Sequence, residues 1–122
     1  MIKLTFCLTR LSHLSLADFQ TYWRQTHAPL VAKHAETLGI VRYVQTHADE
    51  HPFNAALIES RGGPEGYDGV AELWFRSYED ILENADDPAR VAAGAELLED
   101  ERKFIDLTRS PLWMNGEHVI VG

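Results

Sequence analysis

Four short stretches with a two-residue hydrophobic period, interleaved with helical stretches, decide what this chain can fold into. Ile2, Leu4, Phe6 and Leu8 alternate with Lys3, Thr5, Cys7 and Thr9, the mark of a half-buried strand. Ser15, with Asp18 in capping-box position, opens a helix that Gly39 stops. A second strand is expected over 40–47, with Val41, Tyr43, Gln45 and His47 on one face, and a third over Gly69–Phe75, with Val70, Glu72 and Trp74 opposed to Ala71, Leu73 and Phe75. The connection over 48–68 is too long for a tight hairpin. Within it, 54–59 suits a short helical turn and Arg61-Gly62-Gly63-Pro64 a bend. Ser77 and Asp80 cap a short helix ending at Glu83. Asp87 and Pro88 read as N-cap and first residue of a longer helix reaching about Asp106, with Val91, Ala95, Leu98, Arg102 and Ile105 on one side. Residues 112–121 read as a closing strand, interrupted by the turn signal Asn115-Gly116.

The order β–α–β–β–α–β is the split βαβ arrangement of ferredoxin-like α+β folds, an antiparallel sheet with helices on one face. At this length one domain over 1–122 is expected. Helices on one face leave the other bare, and by parity Cys7, Val41, Tyr43, Val70 and Trp74 fall on it. An apolar sheet face asks for a partner, and a homodimer with the sheets face to face is the expectation.

Nineteen acidic residues against eleven basic ones give a formal charge of −8, so nucleic acid and anionic membrane are poor partners. The acidic stretches around Tyr78 to Asp87 and Glu96 to Asp106 read as solvated helix faces. Cys7 is the only cysteine, which rules out an intramolecular disulfide and a cysteine-based zinc site. Met1 leads directly into a strand pattern, and no apolar run approaches a membrane span, so a cytoplasmic location is expected. The glycines form no phosphate-binding pattern, and His47 and His51 lack a convincing third ligand; no cofactor and no metal are expected.

The first helix carries the chemistry. Leu16, Phe19, Tyr22, Trp23, Thr26, His27, Leu30 and His34 recur at helical spacing. Pro29 inside it has no N–H for the carbonyl of Gln25, which predicts a kink or break around residues 25–28 and a freed backbone acceptor beside Thr26 and His27. Two roles are open to His27: a general acid/base in a pocket between helix and sheet, or a core histidine that holds the kink. Tyr22 and Trp23 suit an aromatic substrate or plain packing, and the strand residues Tyr43, Trp74 and Trp113 share that choice. Glu72 is a strand carboxylate with Lys3 or Arg42 as a cross-strand partner, and Cys7 reads as a small buried hydrophobe.

The run Tyr22-Trp23-Arg24-Gln25-Thr26-His27-Ala28-Pro29-Leu30 resembles the Y-W-x-x-x-H-x-P-L signature of EthD-like proteins. Asp68 to Phe75 and Arg109-Ser110-Pro111-Leu112-Trp113 resemble that family's third-strand and C-terminal segments. The resemblance implies a dimeric α+β barrel. It also implies a cofactor-free enzyme acting by proton transfer on a small apolar aromatic or lactone compound, as an isomerase, cyclase or dehydratase. His27 and Tyr22 would then be catalytic, and Trp23, Thr26, Tyr43, Trp74 and Trp113 would bind substrate. The same resemblance admits a cofactor-free monooxygenase, an accessory protein of an oxidoreductase system, or a non-catalytic module for hydrophobic ligands.

Overall fold

Strand β1 (Ile2–Leu8) pairs on both edges, with β3 (Gly69–Phe75) on one side and β4 (Leu112–Asn115) on the other. In the computed structural model, which describes residues 1–122, β2 (Arg42–His47) completes an antiparallel sheet of order β2-β3-β1-β4. The helices are α1 (Leu16–Tyr22), α2 (Ala28–Leu38), α3 (Phe53–Arg61), α4 (Tyr78–Glu83) and α5 (Pro88–Glu101). This is the expected ferredoxin-like α+β order. Local chemistry sets the element starts: the hydroxyls of Ser15 and Ser77 accept from the amides of Asp18 and Asp80, and Asp87 accepts from Ala89.

Pairing register decides which face is buried. Leu4 stands opposite Leu73 and Met114, Phe6 opposite Ala71 and Leu112, and Tyr43 opposite Leu73. That face meets the helices. Phe6, Leu8, Phe19, Trp23, Ala71, Phe104 and Ile105 form one core cluster, and Val31, Ile40 and Leu97 a second. Trp23, Phe19, Phe104 and Leu8 are fully buried, each contributing about 1.5–3 kcal/mol of hydrophobic stabilisation. Trp23 lies so close to β3 that a Cβ on Gly69 would meet its ring at 2.4 Å, which is why glycine opens that strand.

The opposite face carries Lys3, Cys7, Arg42, Val70, Glu72, Trp74 and Trp113. The Lys3 ammonium lies 2.6 Å from the Glu72 carboxylate, the cross-strand pairing expected for that acid. Lys3 and Arg42 also stand over the Trp74 ring, at 5.5 and 4.8 Å.

Four expectations are corrected. Tyr43 belongs to the helix-covered face, because its register with Leu73 outranks a parity count made on β2 alone. The closing strand stops at Asn115: with Asn115 opposite Lys3, β1 has almost no chain left to pair with. Val119, Ile120 and Val121 are consequently 79–92% exposed. Helix α5 ends at Glu101 rather than near Asp106, because tighter turns from Asp100 to Lys103 and from Glu101 to Phe104 swing Phe104 and Ile105 into the core. Its buried residues are Ala93, Leu97 and Asp100, while Val91 and Leu98 face outward. Within 48–68, α3 runs from Phe53 to Arg61 with no buried residue and ends on Gly62 at φ 61°.

Candidate functional site

Pro29 cannot donate a hydrogen bond, and the helix answers by loosening one turn rather than breaking. Residues Trp23–His27 form a π-helical segment in which the amide of Ala28 reaches back five residues to the carbonyl of Trp23. That carbonyl also accepts from the side-chain amide of Gln45 at 3.0 Å, tying the bulge to β2. In an unbroken α-helix, residues four apart drift by about 40° per step. The extra residue in the turn absorbs part of that drift, and Phe19, Trp23, His27 and Val31, each four apart, are all buried.

His27 is 5% exposed, with its ring centroid 5.0 Å from that of Phe104. Its Nδ1 lies 2.7 Å from Asp100 Oδ2. A carboxylate only accepts, so Nδ1 carries the proton and donates it, which leaves the Nε2 lone pair free. Tyr22 donates its hydroxyl to Asp100 Oδ1 at 2.6 Å. Burial pushes the Tyr22 phenol up to about 12, aided by the neighbouring Asp100 charge. Burial alone would raise the Asp100 carboxyl, but the hydrogen bonds from Tyr22 and His27 bring it below its ordinary value. For His27 burial is the larger effect and lowers the imidazole, against the upward pull of Asp100. At neutral pH the result is a neutral imidazole held by an ionised aspartate.

The ring of His27 stands at the wall of a largely apolar cavity of about 370 Å³ between the sheet and helices α2, α4 and α5. Leu4, Phe6, Leu73 and Phe75 from the sheet, Trp23 and Val31 from the helical side, and Leu97 from α5 line it. Tyr43 and Glu101 bring polar atoms to the same wall. Burial raises the Glu101 carboxyl to about 7, with the Asp100 charge adding to it and Arg102 opposing. The Tyr43 hydroxyl accepts from the Gln45 amide at 2.8 Å.

The expected site residues divide accordingly. His27, Trp23 and Tyr43 share the cavity. Tyr22 sits behind His27, its hydroxyl committed to Asp100 and its ring packed on Phe104, so it orients the aspartate rather than a ligand. Thr26 is exposed on the outer side of the π segment, because only every fourth residue of that stretch turns inward. Trp74 and Trp113 lie on the far face of the sheet, set there by registers of Trp74 with Lys3 and Trp113 with Thr5. Cys7 shares that far face, and burial raises its thiol, which disfavours the nucleophilic thiolate. The sequence reading missed Asp100 and Glu101. The signal was present: Ala93, Leu97, Asp100 and Phe104 follow helical spacing, which puts an acid on an apolar stripe.

A family model described as the EthD domain matches residues 11–108, a span that includes the π segment, Asp100 and Glu101. The chain belongs to the EthD family. Among curated relatives, this EthD chain is 33% identical over 117 residues to the conidial pigment biosynthesis dehydratase EthD of Metarhizium robertsii, covering 92% of this chain and 79% of that protein. Among solved structures it is similar to an EthD family protein from Bacillus halodurans, at a TM-score of 0.63 and 19% identity over 97% of this chain and 99% of that one. A dimeric protein with a ferredoxin-like fold from Bacteroides fragilis matches at a TM-score of 0.56 and 10% identity, over 93% of each chain. At such identities the two structures support the fold. No helix of this EthD chain is long and apolar enough to cross a membrane.

Proposed function

We propose that this chain is a dehydratase that removes water from a small, largely apolar ring compound bearing a hydroxyl β to a carbonyl, with His27 as the base. The observation that carries the reading is the buried His27–Asp100 pair at 2.7 Å, opening onto an apolar cavity. A neutral imidazole whose Nδ1–H is anchored by a carboxylate presents Nε2 as a base, and a proton beside a carbonyl is acidic enough for such a base to remove. The cavity lining is mostly apolar, and a polar contact made against it is stronger than in bulk water. The 33% identical relative named as a dehydratase points to elimination among the proton-transfer reactions this geometry serves. Trp23 and Tyr43 bound the ring, and Tyr22 holds Asp100 in place.

In this reading the chain also pairs as a homodimer through the far sheet face, where Val70, Trp74 and Trp113 stand, with a cavity in each protomer; a structural relative is described as dimeric.

The test uses 3-hydroxy-1-tetralone, which loses water to give fluorescent 1-naphthol. Wild-type protein accelerates naphthol release, and His27→Ala, folded by circular dichroism, reduces the rate by about 100-fold or more. Full turnover by that variant overturns the reading. So does tight binding of the tetralone with no conversion, or oxygen uptake in place of water loss.

A further inference from the structure

Elimination of water needs two proton carriers: a base for the carbon acid and an acid for the departing hydroxide. The His27–Asp100 pair supplies the first only, because the Asp100 carboxylate is taken up by Tyr22 and His27. We infer that Glu101 is the second carrier, a neutral carboxylic acid that protonates the hydroxyl leaving from the carbon β to the carbonyl. The inference rests on the dehydratase reading above and deepens it.

Three observations place Glu101 in this role. It lines the same cavity as His27, on the last turn of α5 next to the residue that anchors the imidazole. Its carboxyl, unlike those of Asp100 and Glu72, makes no hydrogen bond to the protein, so its polar atoms are available to a ligand. Its surroundings keep it protonated. The apolar lining disfavours its charge, the Asp100 carboxylate adds repulsion, and the Arg102 guanidinium only partly opposes them. From the sheet the Tyr43 hydroxyl faces it, and from the π segment the neutral His27, neither of them a cation; Arg90, the cation in the cavity lining, donates to the Asp80 carbonyl at 2.7 Å and lies 3.8 Å from the Asp80 carboxylate.

Burial therefore reverses the usual order of these two groups. A free glutamate titrates near 4.5 and a free histidine near 6.5, so at no pH are most of both an acid and a neutral base. Here the imidazole lies below 6.5 and the carboxyl near 7, and a pH window opens in which each is in its working form.

The step balances. His27 Nε2 takes the proton from the α carbon, and that electron pair forms the enolate. The enolate re-forms the carbonyl while the α–β double bond forms and the β C–O bond breaks. The oxygen leaves as water with the Glu101 proton. The cycle ends with His27 protonated and Glu101 ionised, and solvent exchange resets both. No electron is gained or lost, so no oxidant or reductant is required.

Two probes separate this inference from the reading beneath it. Exchange of the C2 protons of 1-tetralone in deuterium oxide, followed by NMR, needs the base alone; 3-hydroxy-1-tetralone needs base and acid. Glu101→Gln is expected to keep exchange within about threefold of wild type and to lose at least about 100-fold in naphthol release. Retention of both activities overturns the role of Glu101 and leaves His27 standing. Loss of both places the carboxyl at the proton-abstraction step and equally overturns it. Absence of exchange in the wild type removes the reading of His27, and this inference with it. A measurement on the unmutated protein guards against a variant that does not fold: naphthol release falls as pH rises through about 7 while exchange does not. Parallel pH profiles overturn the proposal.

Discussion

Replacing Glu101 by glutamine tests the electrostatics of the cavity without any substrate. The folded protein holds this carboxyl near 7 and the unfolded chain near 4.5. Between these values the folded state binds a proton that the unfolded state does not, so stability falls as pH rises. It is fully present below 4.5 and lost by the time pH passes about 7. At about 1.36 kcal/mol per pH unit the accumulated cost is about 3 kcal/mol, which the wild type bears above pH 7 and the glutamine variant does not. Glutamine preserves shape and removes the charge. Urea denaturation of both proteins at pH 5, 6, 7, 8 and 9 should give the smallest difference, about 1 kcal/mol, at pH 5. The variant's advantage should grow to about 3 kcal/mol near pH 7 and stay constant above it. Titrating groups that do not interact with Glu101 cancel in the difference. A difference that is flat from pH 5 to pH 9 would refute the claim that burial holds Glu101 neutral.

Other substitutions probe the frame around the site. Tyr22→Phe removes a hydrogen bond to a charged acceptor, so urea denaturation should show a loss of about 1.5–3 kcal/mol. Naphthol release should slow by about tenfold, equivalent to about 1.4 kcal/mol at the barrier. Gly69→Ala drives a methyl group into the Trp23 ring, with an expected cost of about 1–3 kcal/mol and a shifted tryptophan emission; unchanged stability would contradict the close approach. Trp113→Ala lies across the sheet from the cavity, so it should weaken self-association by at least about tenfold in sedimentation while leaving turnover per folded chain unchanged.

The architecture was legible because periodicity and capping chemistry agree along the chain. Ser15, Ser77 and Asp87 mark helix starts that the structure reproduces, and Gly69–Phe75 is the strand its alternation describes. What a single strand's parity cannot carry is which side faces in. That is decided by pairing between strands: Trp74 lies on the far face where its alternation put it, whereas Tyr43, assigned to the same face, came to the cavity. Pro29 announced an irregular helix, but its form, a π turn that keeps residues four apart aligned, depends on Gln45 from another element. Asp100 and Glu101 were hidden by their own neighbourhood. In a stretch rich in acids, a buried one and a half-buried one look like the rest until the helix is known to end at Glu101, with Asp100 and Phe104 both turned inward.

The state of the His27 ring decides the account. Nitrogen-15 NMR of the labelled protein across pH 4 to 9 reports both its titration and its tautomer. A neutral ring protonated on Nδ1 at pH 7, with a midpoint below 6.5, is the expected result. A midpoint well above 7 would mean that at neutral pH the ring is an imidazolium paired with Asp100, which has no lone pair to offer a carbon acid, and would contradict it.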